Sequence, residues 1–206
     1  MVSLGIEPKG SMSVAAEPQH AALALVELSS IARGLVAADA AAKRAPVELL
    51  ECTPVSPGKY LILFAGGVAE VDEALQAAKA AAGEALLDTL FLPQADVQLL
   101  PALRAGAVGL PRVAARREGE SVGILELLTV GAALRSADAA CKAAEVELQL
   151  LHLARGIGGK AWFLLRGTLT DVEAAMLAAQ TVAGDGLVSG AEIIAAPAAE
   201  LRGKGL

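Results

Sequence analysis

The sequence predicts an α+β fold built from two tandem copies of one βαββαβ unit, the ferredoxin-like split arrangement. Three observations carry this. The chain repeats itself at a nearly constant offset, each copy alternates strand-like and helix-like apolar patterns in the same order, and turn-forming residues fall at matching places in both. Residues 22–51 align with 121–150 at an offset of 99 and residues 58–84 with 159–185 at an offset of 101, with 22 identities in the 57 aligned pairs. Glu27-Leu28 matches Glu126-Leu127, Ala38-Asp39-Ala40-Ala41 matches Ala137-Asp138-Ala139-Ala140, and Lys43 matches Lys142. Gly58-Lys59 matches Gly159-Lys160. A shared alanine bias does not set an Asp-Ala-Ala-x-Lys string and a Gly-Lys pair in the same order twice.

Each copy opens on an apolar strand, 22–28 or 121–128. An Ala-rich helix follows at about 33–45 and 132–144, because Ala has the best helix propensity and no β-branched run intervenes. Two strands come next, about 47–54 with 59–65 and 146–154 with 160–166. Ser56-Pro57-Gly58 and Gly156-Ile157-Gly158-Gly159 supply the tight turns between them. A second helix spans 68–82 and 169–183, closed by Gly83 and Gly184 at the usual C-cap place, and a last strand sits near 85–92 and 187–194. The domains expected are 21–103 and 121–206, joined by an aperiodic linker at 104–120 and preceded by a mobile tail at 1–20; the final residues from Arg202 to Leu206 should fray.

Composition narrows the function classes. Hydrophobic residues make up 55% of the chain but aromatics only 2%, so the cores should be thin, with helices lying close to their sheets. Such cores bury little area per residue, and a large oligomer interface would supply the remainder. A net charge of −6 and the lack of a basic cluster interleaved with aromatics argue against nucleic acid, Arg112, Arg116 and Arg117 being read as solvated linker residues. Glu27, Asp39, Glu126 and Glu192 interrupt every candidate membrane span, and the N-terminus lacks a secretory pattern, so a cytoplasmic protein is expected.

Reactive constellations are scarce. Cys52 and Cys141 lie far apart without metal or redox spacing and are expected to be small buried hydrophobes. His20 and His152 have no second ligand at metal spacing, so no metal site is expected. Glu70, Asp72, Glu73, Asp171 and Glu173 fall at helix starts, where the helix dipole favours acids, and are not read as catalytic. The stretch Gly156-Ile157-Gly158-Gly159-Lys160-Ala161 invites a phosphate-loop interpretation, but Ala161 stands where a hydroxyl would hold magnesium, and the next predicted element is a strand. No enzyme activity and no cofactor are expected.

At these residues the sequence resembles the bacterial microcompartment shell domain. The carrying features are Leu25-Val26-Glu27-Leu28, Ala38 to Lys43, Gly58-Lys59 with Gly66-Gly67-Val68, and the second-copy counterparts Gly123 to Glu126, Ala137 to Lys142 and Gly159-Lys160. The resemblance covers about 22–103 and 121–202. It implies a homotrimer resembling a hexamer, with six domains around a pore for small polar metabolites, assembling with other shell proteins, hexamers and pentamers among them. Both copies begin with the strand and the Asp-bearing helix, so the likeness is to the single-layer, unpermuted tandem class. The resemblance places Val55, Ser56, Pro57, Gly58 and Gly156, Ile157, Gly158, Gly159 around the pore, and Lys43 and Lys142 at the tile edge. The family's usual Arg after the late proline is absent, since Gln94 follows Pro93 and Ala198 follows Pro197. In a tandem member of the family a Cys before the Pro-Gly-Lys binds an iron–sulfur cluster. Ser56 stands there in this chain, and a hydroxyl is a poor ligand for a cluster that demands soft thiolates. The alternative is a duplicated ferredoxin-like regulator that binds a small anion in its Gly-rich loops.

Overall fold

The computed structural model describes residues 21–105 and 120–201. The expected tail with His20, most of the linker with Arg112, Arg116 and Arg117, and residues 202–206 lie outside them. The first copy runs β1 (Ala22–Leu28), α1 (Ile31–Arg44), β2 (Glu48–Val55), β3 (Lys59–Gly66), α2 (Val68–Ala82) and β4 (Leu86–Leu92), followed by a short helix α3 (Leu99–Ala105). The second runs β5 (Ser121–Leu127), α4 (Val130–Ala143), β6 (Glu147–Leu153), β7 (Ala161–Gly167), α5 (Leu169–Ala183) and β8 (Val188–Ile194). The sheets are antiparallel, ordered β2-β3-β1-β4 and β6-β7-β5-β8, as the predicted βαββαβ arrangement requires. Even their irregularities repeat: the register slips between Leu49 and Glu51 and again between Leu148 and Leu150.

Helix boundaries follow from their caps. The Ser30 and Thr129 hydroxyls accept from the Arg33 and Ala132 N–H groups, so α1 and α4 begin two residues before the predicted start. α2 and α5 end where predicted, on Gly83 and Gly184, whose φ of 54° and 97° suit glycine. The faces turned to the sheet are small, Gly34, Ala37, Ala38 and Ala41 on α1, and the helices lie close to it. Gly34 cannot be larger, because a Cβ there would stand 2.2 Å from the Tyr60 ring.

What positions the two copies is the other face of the first sheet. Along β1, Ala22, Ala24, Val26 and Leu28 pack with Ile62 and Phe64 beneath α1 and α2. The alternate residues Leu23 and Leu25, with Leu61, Leu63 and Leu90, belong instead to one continuous core with Val130, Leu134, Leu148 and Leu151 of the second copy. Every residue of β1 is therefore buried, which a sheet covered on one face alone would not give. Helix α4 lies across this outer face, close enough that a Cβ at Gly131 would reach 3.6 Å from Leu25 Cδ2.

Helix α3 was not predicted and runs into residues 104–105, expected as linker. Seven residues are too few for periodicity to show, and Pro101 in the first turn, harmless there, reads as a breaker. Gln98 ties the preceding loop to the second copy: its Nε2 donates to the Val146 carbonyl at 2.9 Å and its Oε1 accepts from the Leu148 N–H at 2.8 Å, imitating a strand residue against β6. Arg104 pairs with Glu48 at 2.8 Å, and this hydrogen bond holds the Glu48 carboxyl below its usual pKa.

Candidate functional site

The two glycine-bearing turns meet. Val55 is buried at the end of β2, and Ser56, Pro57 and Gly58 project as an exposed turn. Gly156, Ile157 and Gly158 are exposed in the second turn, while Gly159 is buried against the first. A Cβ on Gly159 would stand 2.8 Å from the Ser56 carbonyl oxygen and 3.4 Å from Pro57 Cδ, so only glycine lets the backbones approach this closely; its φ of 85° adds to the requirement.

Charges around the turns are paired. Lys59 donates to Glu27 at 2.9 Å, Lys160 to Glu126 at 3.5 Å, and Arg155 crosses from the second copy to Glu51 of the first. Strand β7 follows Lys160, so the loop lacks the helix N-terminus on which a phosphate loop depends. The chemistry the turns offer is that of backbone N–H and carbonyl groups with the Ser56 hydroxyl.

The predicted edge lysines sit in unlike places. Lys43 pairs with Asp39 at 2.7 Å on an open part of α1. Lys142 makes the same i,i+4 pair with Asp138, and also donates to the Gln94 carbonyl of the first copy at 2.6 Å. Asp138 in turn accepts from the Asp96 N–H at 2.8 Å. The acceptor at position 94 is backbone, so this bond is available whatever residue follows Pro93.

One expectation about the thiols is corrected. Cys141 is buried, and burial with the neighbouring Asp96 and Asp138 pushes its pKa up to about 12. Cys52 is exposed. Its counterpart by strand register is Leu151, which is buried on β6, the strand against which α3 of the first copy packs; among the described residues α1 is the helix that packs on β2. The residues do not fit an iron–sulfur cluster: Ser56 presents a hydroxyl at the turn, and the Cys52 thiol is held above its usual pKa by burial and by Glu51. Among the described residues no group of three or more His, Cys, Asp or Glu could hold a metal ion.

The feature that sequence reasoning missed is a pair of stripes beside the core-facing alanines. On α4, Val130, Leu134 and Asp138 are buried. Their counterparts on α1, Ile31, Leu35 and Asp39, are exposed, Leu35 to 57%. The sheets show the converse. Glu27 is 2% exposed on the outer face of the first sheet, whereas Glu126 on the second borders an open cavity of about 500 Å³ with Ile124, Ile157, Lys160, Ala161 and Trp162. Beside it His152 stacks on Trp162, ring centroids 6.2 Å apart, with its Nδ1 buried and, among the described residues, without a hydrogen-bond partner. Equal spacing of apolar residues on both repeat helices was the available signal.

Comparison with known proteins agrees with this architecture. The BMC domain family matches the chain twice, at residues 22–95 and 121–197. The chain is 39% identical over 164 residues to the bacterial microcompartment shell protein PduT of Citrobacter freundii, covering 80% of this chain and 85% of that protein. A crystal structure of a microcompartment protein from Desulfitobacterium hafniense superposes with a TM-score of 0.80 at 35% identity, over 89% of this chain and 98% of the other. The fused permuted hexameric shell protein MSM0275 from the RMM microcompartment shares the fold at a TM-score of 0.56 and 24% identity, over 79% and 83% of the two chains. Two copies of the domain side by side, their glycine turns adjoining, thus belong to the bacterial microcompartment shell protein family.

Proposed function

We propose that three copies of this chain close a pseudohexameric ring, a structural tile of a microcompartment shell in the cytoplasm, whose central pore passes small polar metabolites without turning them over. The observation that carries this is the opposite burial of two like stripes. The chain covers the outer face of its first sheet with its own α4, and leaves open one α1 stripe and one second-sheet face. These are the two halves of the same kind of contact. Such a contact is heterologous, and repeated about an axis it closes a ring when the rotation allows. A sixfold repeat of one domain step is a threefold repeat of this chain.

In that ring the six turns border the axis, three of Val55-Ser56-Pro57-Gly58 alternating with three of Gly156-Ile157-Gly158-Gly159. Backbone dipoles and three Ser56 hydroxyls would line the passage, while the nearby cations are each held by a carboxylate. The lining therefore suits small polar solutes over large or apolar ones. Lys43 and Lys142 are assigned to the tile edge, where a long aliphatic stem with a hydrated head suits a flat contact with neighbouring shell proteins. The rival anion-sensing reading has no observation that favours it.

Native mass spectrometry of the purified chain should give three times the monomer mass, and class averages from electron microscopy should show a six-lobed ring with a central hole. A monomer, or a twofold dimer, would remove the ring. Sheet growth with companion shell proteins should be impaired in the Lys43→Ala/Lys142→Ala variant while the trimer persists; unchanged growth would remove the edge role alone.

A further inference from the structure

We infer that an exchange of size and charge between the two copies keeps the two kinds of seam distinct, so that α1 of a second copy fits the second sheet and is refused by the first. This rests on the ring proposed above and adds the residues that decide who docks where.

Inside the chain the seam places Gly131 of α4 against Asp88 of β4. A Cβ on Gly131 would lie 2.7 Å from Asp88 Oδ2, and the carboxylate is held in place because its Oδ1 accepts from the Thr89 N–H at 2.8 Å. The counterpart of Gly131 on α1 is Ala32, which does carry a methyl group. The counterpart of Asp88 on β8 is Gly190, as the register shows: Asp88 lies opposite Glu27 and Gly190 opposite Glu126. The three atoms nearest a Cβ at Gly190 would all belong to its own chain's Glu126, at 3.6 Å or more, so nothing crowds that place and a neighbour's methyl has room before it. Small faces large at one seam, and large faces small at the other.

A charge exchange runs the same way. Arg155 reaches Glu51 across the internal seam. By register the counterpart of Glu51 is Leu150, opposite Leu164 as Glu51 is opposite Leu63, and counting two residues on from the equivalent Pro54 and Leu153 sets Ser56 in the place of Arg155. A seam between chains therefore sets Ser56 near Leu150, with no charge left alone. Crossed seams fail on both counts. Helix α1 on the first sheet would drive the Ala32 methyl into Asp88 and leave Glu51 without its guanidinium. Helix α4 on another chain's second sheet would set Arg155 over Leu150 and leave a gap between Gly131 and Gly190. The same surface thus rewards the right pairing and penalises the wrong one.

The test is a size-swap cycle read by native mass spectrometry on dilution. Gly190→Asp and the uncharged Gly190→Asn should each weaken the trimer about tenfold per seam, as overpacking does. Adding Ala32→Gly should restore it to within about threefold, and Ala32→Gly alone should weaken it by less than about threefold, the cost of a methyl-sized gap. A Gly190→Asn trimer as tight as wild type, or a weakening that Ala32→Gly does not relieve, overturns the inference. A wild-type chain that is not trimeric overturns the ring instead, and the internal seam then decides the exchange separately. Gly131→Ala should lower the melting temperature and Asp88→Gly should recover it; no recovery counts against the exchange.

Discussion

Helices α1 and α4 are copies of one another and live in opposite surroundings. Both carry a β-branched residue, a leucine and an aspartate at four-residue steps, Ile31, Leu35, Asp39 and Val130, Leu134, Asp138. Leu134 is fully buried and Leu35 is 57% exposed. Asp138 and Lys142 bind backbone groups of the first copy, while Asp39 and Lys43 bind each other on an open surface. Propensity and patterning cannot account for the contrast, because the local sequences agree. The contrast lies in what the chain brings to each helix, and it shows that a duplicated domain can satisfy one copy's docking surface internally while leaving the other's for a second molecule.

The largest expected effect comes from placing the same charge on both stripes. Leu134→Asp buries a carboxylate among apolar residues and should cost the single chain at least about 4 kcal/mol, seen as loss of a cooperative melt or insolubility. Leu35→Asp should change the stability of the single chain by no more than about 1 kcal/mol, since it alters an exposed helix position. It should nonetheless abolish the trimer. If Leu35→Asp remains trimeric by native mass spectrometry, the two stripes are not equivalent docking surfaces.

A smaller effect sharpens the same comparison through the thiols. Cys52 is exposed in one chain, but its counterpart Leu151 is 2% exposed within the internal seam. Ring closure should cover Cys52 in the same way. Alkylation by iodoacetamide near pH 8 should then modify Cys52 at least about tenfold more slowly in wild type than in the Leu35→Asp variant, because access controls thiol reactivity along with pKa. Cys141, buried and with its pKa near 12, should stay unmodified in both. Equal Cys52 rates would mean that β2 stays open after assembly.

Much of this was legible in the sequence for a particular physical reason: the repeat supplied two independent readings of each element. The Asp-Ala-Ala-x-Lys strings, the turn glycines and the caps at Gly83 and Gly184 gave the βαββαβ order and nearly every boundary. The early starts of α1 and α4 escaped because the capping hydroxyls of Ser30 and Thr129 precede any apolar period. Helix α3 escaped because seven residues are too few for one. The exposure of Cys52 was missed because burial was inferred from residue type, whereas it depends on which neighbouring element arrives, and the two copies receive different neighbours. The adjoining of the turns required knowing that α4 crosses the first sheet's outer face, a nonlocal fact that apolar residues on both faces of β1 announce only once the sheet is known to be central.

The smallest effect concerns His152, whose counterpart across the repeat, Thr53, does not titrate. Burial lowers the His152 pKa, and the Arg155 charge lowers it further. Above the ordinary value of 6.5 the imidazole is neutral in folded and unfolded chains alike, and no penalty arises. As pH falls through 6.5 the unfolded chain takes up the proton first, so stability declines until the lowered folded pKa is passed, and is constant below it. In the proposed ring this face lies under a neighbour's α1, which should deepen the desolvation and make the trimer itself loosen on acidification toward about pH 5. The window is separate from that of Glu48, whose lowered pKa makes its contribution fade only below its ordinary 4.5. Melting temperature followed from pH 7.5 to about 5 should fall by a few degrees at most in wild type, and His152→Gln should flatten that limb. A limb unchanged in His152→Gln would assign the pH response to other groups, and a trimer insensitive to acid would mean that the second sheet's outer face is not where α1 docks.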